Sequence, residues 1–322
     1  MPYPLFDRSR LNIKPLAERA HDLDLGILIG LDEPLGHFED PGIEPLARAV
    51  LSARENNASA ILMYGAHVIR SGCALHMIEM MERGQLTMLA TNGAGSIHDF
   101  ELSLVGATCE SVARYISEGQ FGLWHESGII NDIIKEGAAE GLGWGEALGR
   151  YIWENNLPNR DSSVLAAGYR LGIPVTVHVG VGNDIIHEHP NCDGAAMGAA
   201  SYTDFLIYTQ EITNLEGGVF LNFGSAVTGP EVYLKALSMA RNVAAQDGRE
   251  ICHFTTAVLD LQPIGGYAPG IDPPKSNPHY YFRPWKTILA RTVADGGKSY
   301  YVCGEHAQTL PHLARKVWEL QP

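Results

Sequence analysis

The sequence lacks the features that would place it in several large classes of protein. No apolar run approaches the roughly 18 residues that a membrane span needs, and the first residues carry Asp7, Arg8 and Arg10 where a secretion signal would be apolar. Lysine and arginine number 23 against 37 aspartates and glutamates. They form no basic stripe that could follow a nucleic-acid backbone. We therefore expect a cytoplasmic protein that binds neither membrane nor nucleic acid.

Cysteine is also scarce. The five cysteines are scattered and form no CxxC pair, so neither a disulfide framework nor a zinc knuckle is indicated. His187, His189, Cys192 and Asp193 lie close together in sequence, but their spacing matches no established zinc site. For Asp193, capping of the helix that follows is the simpler interpretation. We expect no metal.

Apolar residues, by contrast, are plentiful: they make up 45% of the 322 residues, enough for a large core. Short apolar runs alternate with segments of helical period, such as His67–Arg83 and Ala107–Glu118, each of which we expect to be a helix. This alternation is the pattern of a mostly parallel sheet with helices on both faces. The predicted fold class is α/β with a Rossmann-like sheet. We expect an N-terminal arm over residues 1–40 and a single domain over 41–322. The predicted strands are Ala60–Tyr64, Leu86–Thr91, Ile173–His178, Gly218–Phe223, Ile251–Leu259 and Ser299–Cys303.

Turns of small residues follow several of these strands, at the edge where open α/β sheets bind ligands. The turn after the second strand consists of Thr91, Asn92, Gly93, Ala94 and Gly95. Its glycines would let the backbone approach a phosphate, and the helix that follows favours negative charge at its start. His98 stands where the dinucleotide fingerprint has its third glycine. A tight turn that binds nothing is therefore the alternative.

Six segments in a fixed order resemble the deoxyhypusine synthase family over roughly residues 40–320. They are YGAHVIRSG (Tyr64–Gly72), TNGAGSIHD (Thr91–Asp99), FGLWHESGIINDI (Phe121–Ile133), IPVTVHVGVGNDII (Ile173–Ile186), GGVFLNFGSAV (Gly217–Val227) and RPWKT (Arg283–Thr287). The resemblance implies a Rossmann-like fold, an NAD cofactor and a homotetramer with active sites at subunit interfaces. It also implies transient oxidation of an amine, with a lysine that holds the resulting imine.

The resemblance also assigns site residues. Asp184 is similar in place to the acidic residue on the substrate amine, and Lys286, beside Trp285, to the imine-forming lysine; these three form the expected catalytic group. To the substrate we further assign His178, Glu231 and Arg283. The residues expected to contact NAD are Ala66, His67, Thr91, Asn92, Gly93, Ala94, Gly95, Asp99, Gly224 and Ser225.

The chain departs from the family mainly where the amine would bind. Ile97 and His98 replace paired glutamates, and Pro230 and Glu231 stand where the family has two histidines. Three functions stay open. The first is a deoxyhypusine synthase-like NAD enzyme that acts on an amine or amino acid by oxidation, imine formation and transfer or elimination. The second is an ornithine cyclodeaminase-like NAD enzyme in which Arg283 holds a substrate carboxylate. The third is a nucleotide-binding regulatory protein without turnover.

Overall fold

The computed structural model describes residues 3–321 and has a six-stranded parallel sheet at its centre. The strands are β1 Leu23–Asp24, β2 Ala60–Tyr64, β3 Met88–Asn92, β4 Ala107–Thr108, β5 Val175–His178, β6 Val219–Phe223, β7 Thr255–Asp260 and β8 Lys298–Cys303. The α-helices are α1 Ile43–Glu55, α2 Ala66–Arg70, α3 Ala74–Glu82, α4 Gly93–Val105, α5 Val112–Glu118, α6 His125–Ala139, α7 Trp144–Glu154, α8 Val164–Leu171, α9 Gly194–Ile212, α10 Thr228–Gln246 and α11 His306–Leu320.

The predicted α/β class is confirmed. All six predicted strands are present, and together they form the main sheet in the order β5-β3-β2-β6-β7-β8, every neighbouring pair being parallel. Numbered along the chain, this is the strand order 3-2-1-4-5-6 of a doubly wound sheet. Successive strands are added outward from β2 on one side and outward from β6 on the other, so the switch point lies between β2 and β6. In such sheets a crevice opens outside the carboxyl ends of the strands at that switch point.

The sheet is buried on both faces. Alternate residues of a strand point to opposite sides, so Leu62 and Tyr64 of β2 enter one core while Ile61 and Met63 enter the other. The first core lies under α1, α3, α4, α6, α7, α8 and α11. The second lies under the C-terminal half of α9, α10 and a π-helix at Trp285–Arg291. Because both faces are covered, the strands read as apolar runs rather than as alternating patterns.

Two segments expected to be single helices are interrupted. The segment His67–Arg83 divides into α2 and α3 at Gly72, which has φ +77° and whose carbonyl accepts the N–H of Ile29. The segment Ala107–Glu118 begins with strand β4, which pairs antiparallel with β1, and becomes helical only after Ser111, whose hydroxyl caps α5. In both cases a contact with the N-terminal segment, distant in sequence, outweighs the local helical period.

The residues before α1 pack against the sheet domain at several points. Lys14 donates its N–H to the Leu123 carbonyl, and the backbone N–H of Leu16 donates to Glu126. The long glycine- and proline-rich segment after β7 is fixed near its middle, where the Ile271 carbonyl accepts the indole N–H of Trp285. None of the helices within residues 3–321 is long and apolar enough to cross a membrane.

Candidate functional site

The turns after β2 and β6 meet at the switch point. Gly65 donates its N–H to the Phe223 carbonyl at 2.9 Å, and a Cβ on Gly65 would fall 2.4 Å from the Gly224 oxygen. Gly224 has φ +59°, and a Cβ there would fall 2.4 Å from Nε2 of His306. Glycine is therefore required at both positions, and the floor of the crevice is bare backbone.

Two histidines border this floor. His306 is buried at the start of α11, and its Nδ1 has no hydrogen-bond partner among the described residues. Burial, with the nearby His67 as a smaller cause, lowers the pKa of His306 to about 4. The rings of His67 and His306 lie edge to face with centroids 5.8 Å apart. A buried neutral imidazole with a free nitrogen thus lies beside the exposed His67.

At the turn after β3, the start of α4 is already capped. The side chain of Asn92 accepts the N–H of Gly95 at 2.9 Å. The carboxylate of Asp184, from the loop after β5, lies against the same turn, close enough to the Ala94 N–H for that group to lower its pKa somewhat. A Cβ on Gly93 would fall 2.0 Å from Oδ2 of Asp184. Asp184 therefore lies where the sequence predicted a phosphate, and the glycine makes room for this carboxylate.

A cavity of about 290 Å³ opens next to Asp184. It lies between α4, the end of α2, the loop after β5 and the segment before α1. The polar and ionisable residues in its wall are Arg19, Arg70, His98, Glu101, Cys109, Glu110, Asn183 and Asp184; Ala94, Ile97, Val112, Phe121 and Ile185 complete it. Its volume is at the lower end of the range for small-molecule sites. It therefore suits a ligand the size of an amino acid or a short amine.

One ion pair in the wall is fully buried. Arg19 and Glu101 form two parallel hydrogen bonds of 2.9 and 2.8 Å, with side chains only 1% exposed. Ser127 and Thr108 also donate hydroxyls to Glu101. Burial alone would raise the pKa of Glu101, but the hydrogen bonds and charge of Arg19 outweigh it and hold the pKa below its usual range. These two charges neutralise each other and fix the segment before α1 to α4.

The other ionisable groups of the wall are not paired in this way. Burial raises the pKa of Asp184 to about 6, although the Ala94 N–H acts against it. Burial also raises the pKa of Glu110, which accepts hydrogen bonds from the Gly122 N–H and the Trp124 indole. Arg70 is exposed and makes no ion pair with a described residue. Carboxylates and an unpaired guanidinium thus face one cavity.

Several residues predicted to contact NAD or substrate hold the fold together. The Thr91 hydroxyl donates to the Tyr64 carbonyl, and the Ser225 hydroxyl accepts the N–H of Gly229. Asp99 is buried and accepts the N–H groups of Val164 and Leu165 at the start of α8, together with the Ser163 hydroxyl. The polar atoms of these three side chains, which were expected to bind NAD, are thus already bonded within the chain.

His178 is likewise a buried residue. Its Nε2 lies 3.1 Å from the Thr176 hydroxyl, and its ring packs edge to face on Tyr208. Burial lowers the pKa of His178 to about 3, so the ring is neutral near pH 7. It belongs to the second core rather than to the wall of the cavity.

The structure separates Lys286 from Asp184. Lys286 lies in the π-helix that packs on β7 and β8, is 8% exposed, and places its Nζ 3.8 Å from the centre of the Tyr280 ring. Trp285 is buried beside it. In the sheet, β3, β2 and β6 lie between β5 and β7, and four strand spacings amount to roughly 19 Å. The two predicted catalytic residues therefore do not meet on one small ligand within a chain.

Arg283 and Glu231, both assigned to the substrate, bind each other instead. The Arg283 guanidinium approaches Oε1 of Glu231 to 2.6 Å, and Lys235 also pairs with Glu231. Arg283 is thus engaged by a carboxylate of the chain, which competes with any substrate carboxylate.

The histidine-rich loop has structural contacts of its own. His187 accepts the N–H groups of Gly182 and Asp184, and Nε2 of His189 lies 2.8 Å from the Gly122 carbonyl. Asp193 accepts the N–H groups of Ala195 and Ala196, the N-cap predicted for it. Within residues 3–321 no group of three or more histidines, cysteines or acids has the geometry of a metal site.

Sequence reasoning missed the charged wall of the cavity. Arg19 belongs to a segment regarded as an arm, and Arg70 ends a helix predicted to continue past it. Glu101 was detectable in principle, since it stands between the apolar Phe100 and Leu102 in a predicted inner helix, where a carboxylate needs a buried partner. No local pattern identifies that partner as Arg19, because 82 positions separate the two residues.

Comparison with protein-family models gives no match, and neither does comparison with curated protein sequences. Among solved structures, the chain is similar to apo ArgZ, an arginine dihydrolase from the ornithine-ammonia cycle in cyanobacteria, with TM-score 0.52 and 14% identity over 88% of this chain and 34% of that chain. It is also similar to AgrE in ternary complex with ornithine and NAD+, with TM-score 0.51 and 14% identity over 87% and 33%.

A third structure, provisionally assigned as a deoxyhypusine synthase from Entamoeba histolytica, covers 87% of this chain and 86% of its own at 9% identity. Its TM-score of 0.40 is too low to support an argument. At 14% identity, the likeness to ArgZ and AgrE shows a shared fold alone. The chain spans about a third of the length of ArgZ and AgrE.

Proposed function

We propose that the chain is an NAD-dependent enzyme that oxidises the carbon–nitrogen bond of a small amine or amino acid. One observation carries the proposal: the bare-backbone crevice at the β2–β6 switch point and the cavity walled by Asp184 and Glu110 lie at the same edge of one sheet. The fold shared with AgrE, which was crystallised with ornithine and NAD+, supports it. Deoxyhypusine synthase-like transfer and ornithine cyclodeaminase-like ring closure are the two specific reactions that we consider.

The residues at the switch point fit a dinucleotide. Ala66 and His67 open α2, so their N–H groups have no acceptor within the helix. Gly224 leaves the backbone uncovered, and the unpartnered Nδ1 of His306 offers a buried polar contact. We therefore propose that Ala66, His67 and Gly224 hold NAD, whereas the Ser225 hydroxyl is already bonded to the Gly229 N–H. The start of α4 does not fit a phosphate in this conformation, since Asn92 accepts the Gly95 N–H and the Asp184 carboxylate occupies the space beside Gly93.

Bound NAD supplies a hydride acceptor for the carbon that bears the nitrogen. Asp184 and Glu110 supply negative charge for a substrate ammonium. The raised pKa of Asp184, about 6, also lets this carboxylate exchange a proton near neutral pH, as the loss of a proton from the amine requires. The buried Arg19–Glu101 pair holds the wall in place without adding net charge.

Lys286 could contribute to the proposed reaction only from a second subunit. Within one chain it lies beside β7 and β8, far from the cavity beside β3 and β5. An imine on Lys286 would thus require a neighbouring copy in the homotetramer that the resemblance implies. The oxidation itself does not depend on that step.

A regulatory protein that binds nucleotide without turnover is the remaining alternative, and catalysis distinguishes the two. Purified protein with NAD would be mixed with candidate amines and amino acids while NADH fluorescence is followed. An enzyme gives NADH that appears and then either accumulates or is consumed. Tight NAD binding with no NADH for any amine would favour the regulatory function.

A further inference from the structure

The charges of the 290 Å³ cavity are asymmetric. The Arg19–Glu101 pair is neutral overall. What remains is one guanidinium, that of Arg70, and two carboxylates, those of Asp184 and Glu110. Glu110 binds only neutral donors, the Gly122 N–H and the Trp124 indole. The basic side chain that pairs with Asp184 is that of His187, whose Nε2 lies 3.9 Å from Oδ2 of Asp184. Burial lowers the pKa of His187 and so disfavours its charged form.

Arg70 is placed to act inside this cavity rather than only in solvent. It ends α2, the helix that starts at the switch point, and its charge helps to lower the pKa of His98, for which burial is the larger cause. His98 is on α4 and lines the same cavity as Arg70. Arg70 thus borders the same space as Asp184, whose carboxylate lies beside Gly93, one turn before His98.

We propose that Arg70 binds the carboxylate of an α-amino acid substrate, while Asp184 and Glu110 receive its ammonium groups. The inference rests on the proposed function and deepens it by naming the substrate class. A guanidinium binds a carboxylate through two parallel hydrogen bonds. Two carboxylates opposite it match a basic amino acid that carries a second amine on its side chain. A polyamine has no group for Arg70 and would place an ammonium beside a like charge.

Three ligands of matched carbon skeleton test the inference by calorimetry: L-ornithine, putrescine, which lacks the carboxylate, and L-norvaline, which lacks the terminal amine. Ornithine is expected to bind more tightly than either. Arg70→Gln should weaken ornithine binding by roughly 10- to 100-fold, the range for a lost hydrogen bond to a charged group, and should not weaken putrescine binding, since it removes a like charge. Arg48→Gln, at an exposed position on α1, is the matched control and should change neither.

Putrescine binding as tightly as ornithine to the wild-type chain would overturn the inference, and so would an Arg70→Gln variant with unchanged ornithine affinity. The comparison of ligands needs no variant, so it remains decisive if a substitution impairs folding. NAD binding is measured separately on the same protein. Ornithine binding that depends on Arg70, with no NAD binding, would support the substrate site and refute the oxidation.

Discussion

The buried ion pair between Arg19 and Glu101 allows a quantitative prediction. Arg19→Met keeps most of the apolar stem and removes the guanidinium. Glu101 would keep only the hydroxyls of Ser127 and Thr108 as donors while remaining buried. Removing one partner of a buried pair costs about 3–5 kcal/mol, because the other charge is left uncompensated. That is a large part of the roughly 5–15 kcal/mol by which a folded chain is stable.

Urea denaturation, followed by circular dichroism and by tryptophan fluorescence, measures this loss in the free energy of unfolding. The double variant Arg19→Met/Glu101→Leu should recover much of it, since no charge is then stranded. Arg48→Met removes one member of an exposed pair on α1 and should leave stability unchanged. A loss below about 1 kcal/mol in Arg19→Met, or no recovery in the double variant, would refute the assignment of this pair as a buried anchor.

Three further predictions concern the site. The pKa of Asp184 is raised from 3.8 to about 6, so its protonated form favours folding below pH 3.8, and this contribution is lost as the pH rises through 6. Asp184→Asn should therefore be more stable than the wild type by about 1–3 kcal/mol near neutral pH, but not at low pH. Equal dependence of stability on pH in the two proteins would contradict the shift. Gly93→Ala should displace the Asp184 carboxylate, which would lie 2.0 Å from the new Cβ, and should lower the stability of the fold by about 1–3 kcal/mol. The control is Gly194→Ala, which changes the first residue of α9, where a Cβ would meet nothing within 4 Å. Similar losses of stability in the two variants would refute the contact. Borohydride reduction with NAD and substrate should trap an adduct on Lys286 in the assembled protein, and Lys286→Arg with full turnover would remove this lysine from the mechanism.

The sheet was predictable from sequence because its strands are buried on both faces. Runs such as AILMY at Ala60–Tyr64 have no polar residue to obscure them, and this strand matches its prediction at both ends. The helices were less predictable wherever the segment before α1 touches them. The break at Gly72 depends on Ile29, and strand β4 depends on β1. Helical period contains no information about such distant partners.

Of the candidate site, only the position was predictable from sequence. Small-residue turns at the carboxyl ends of β2, β3 and β6 indicated the edge of the sheet at which the crevice lies. The role of each polar residue there depends on what lies opposite it. Asp99 caps α8, and Glu231 binds Arg283. Asp184, expected to face a substrate amine, also lies against the start of the helix expected to face a phosphate.

The central claim is that NAD binds at the switch point and takes a hydride from a carbon–nitrogen bond. Its most direct test is the fluorescence of NADH after rapid mixing of the protein and NAD with a basic amino acid, at a pH above the pKa of Asp184. The account predicts that NADH forms with the wild-type chain and is lost when Gly224→Ala closes the backbone floor against His306 in a variant that still folds. No NADH from any amine or amino acid would contradict the hydride transfer, and no NAD binding by calorimetry would contradict the cofactor site as well.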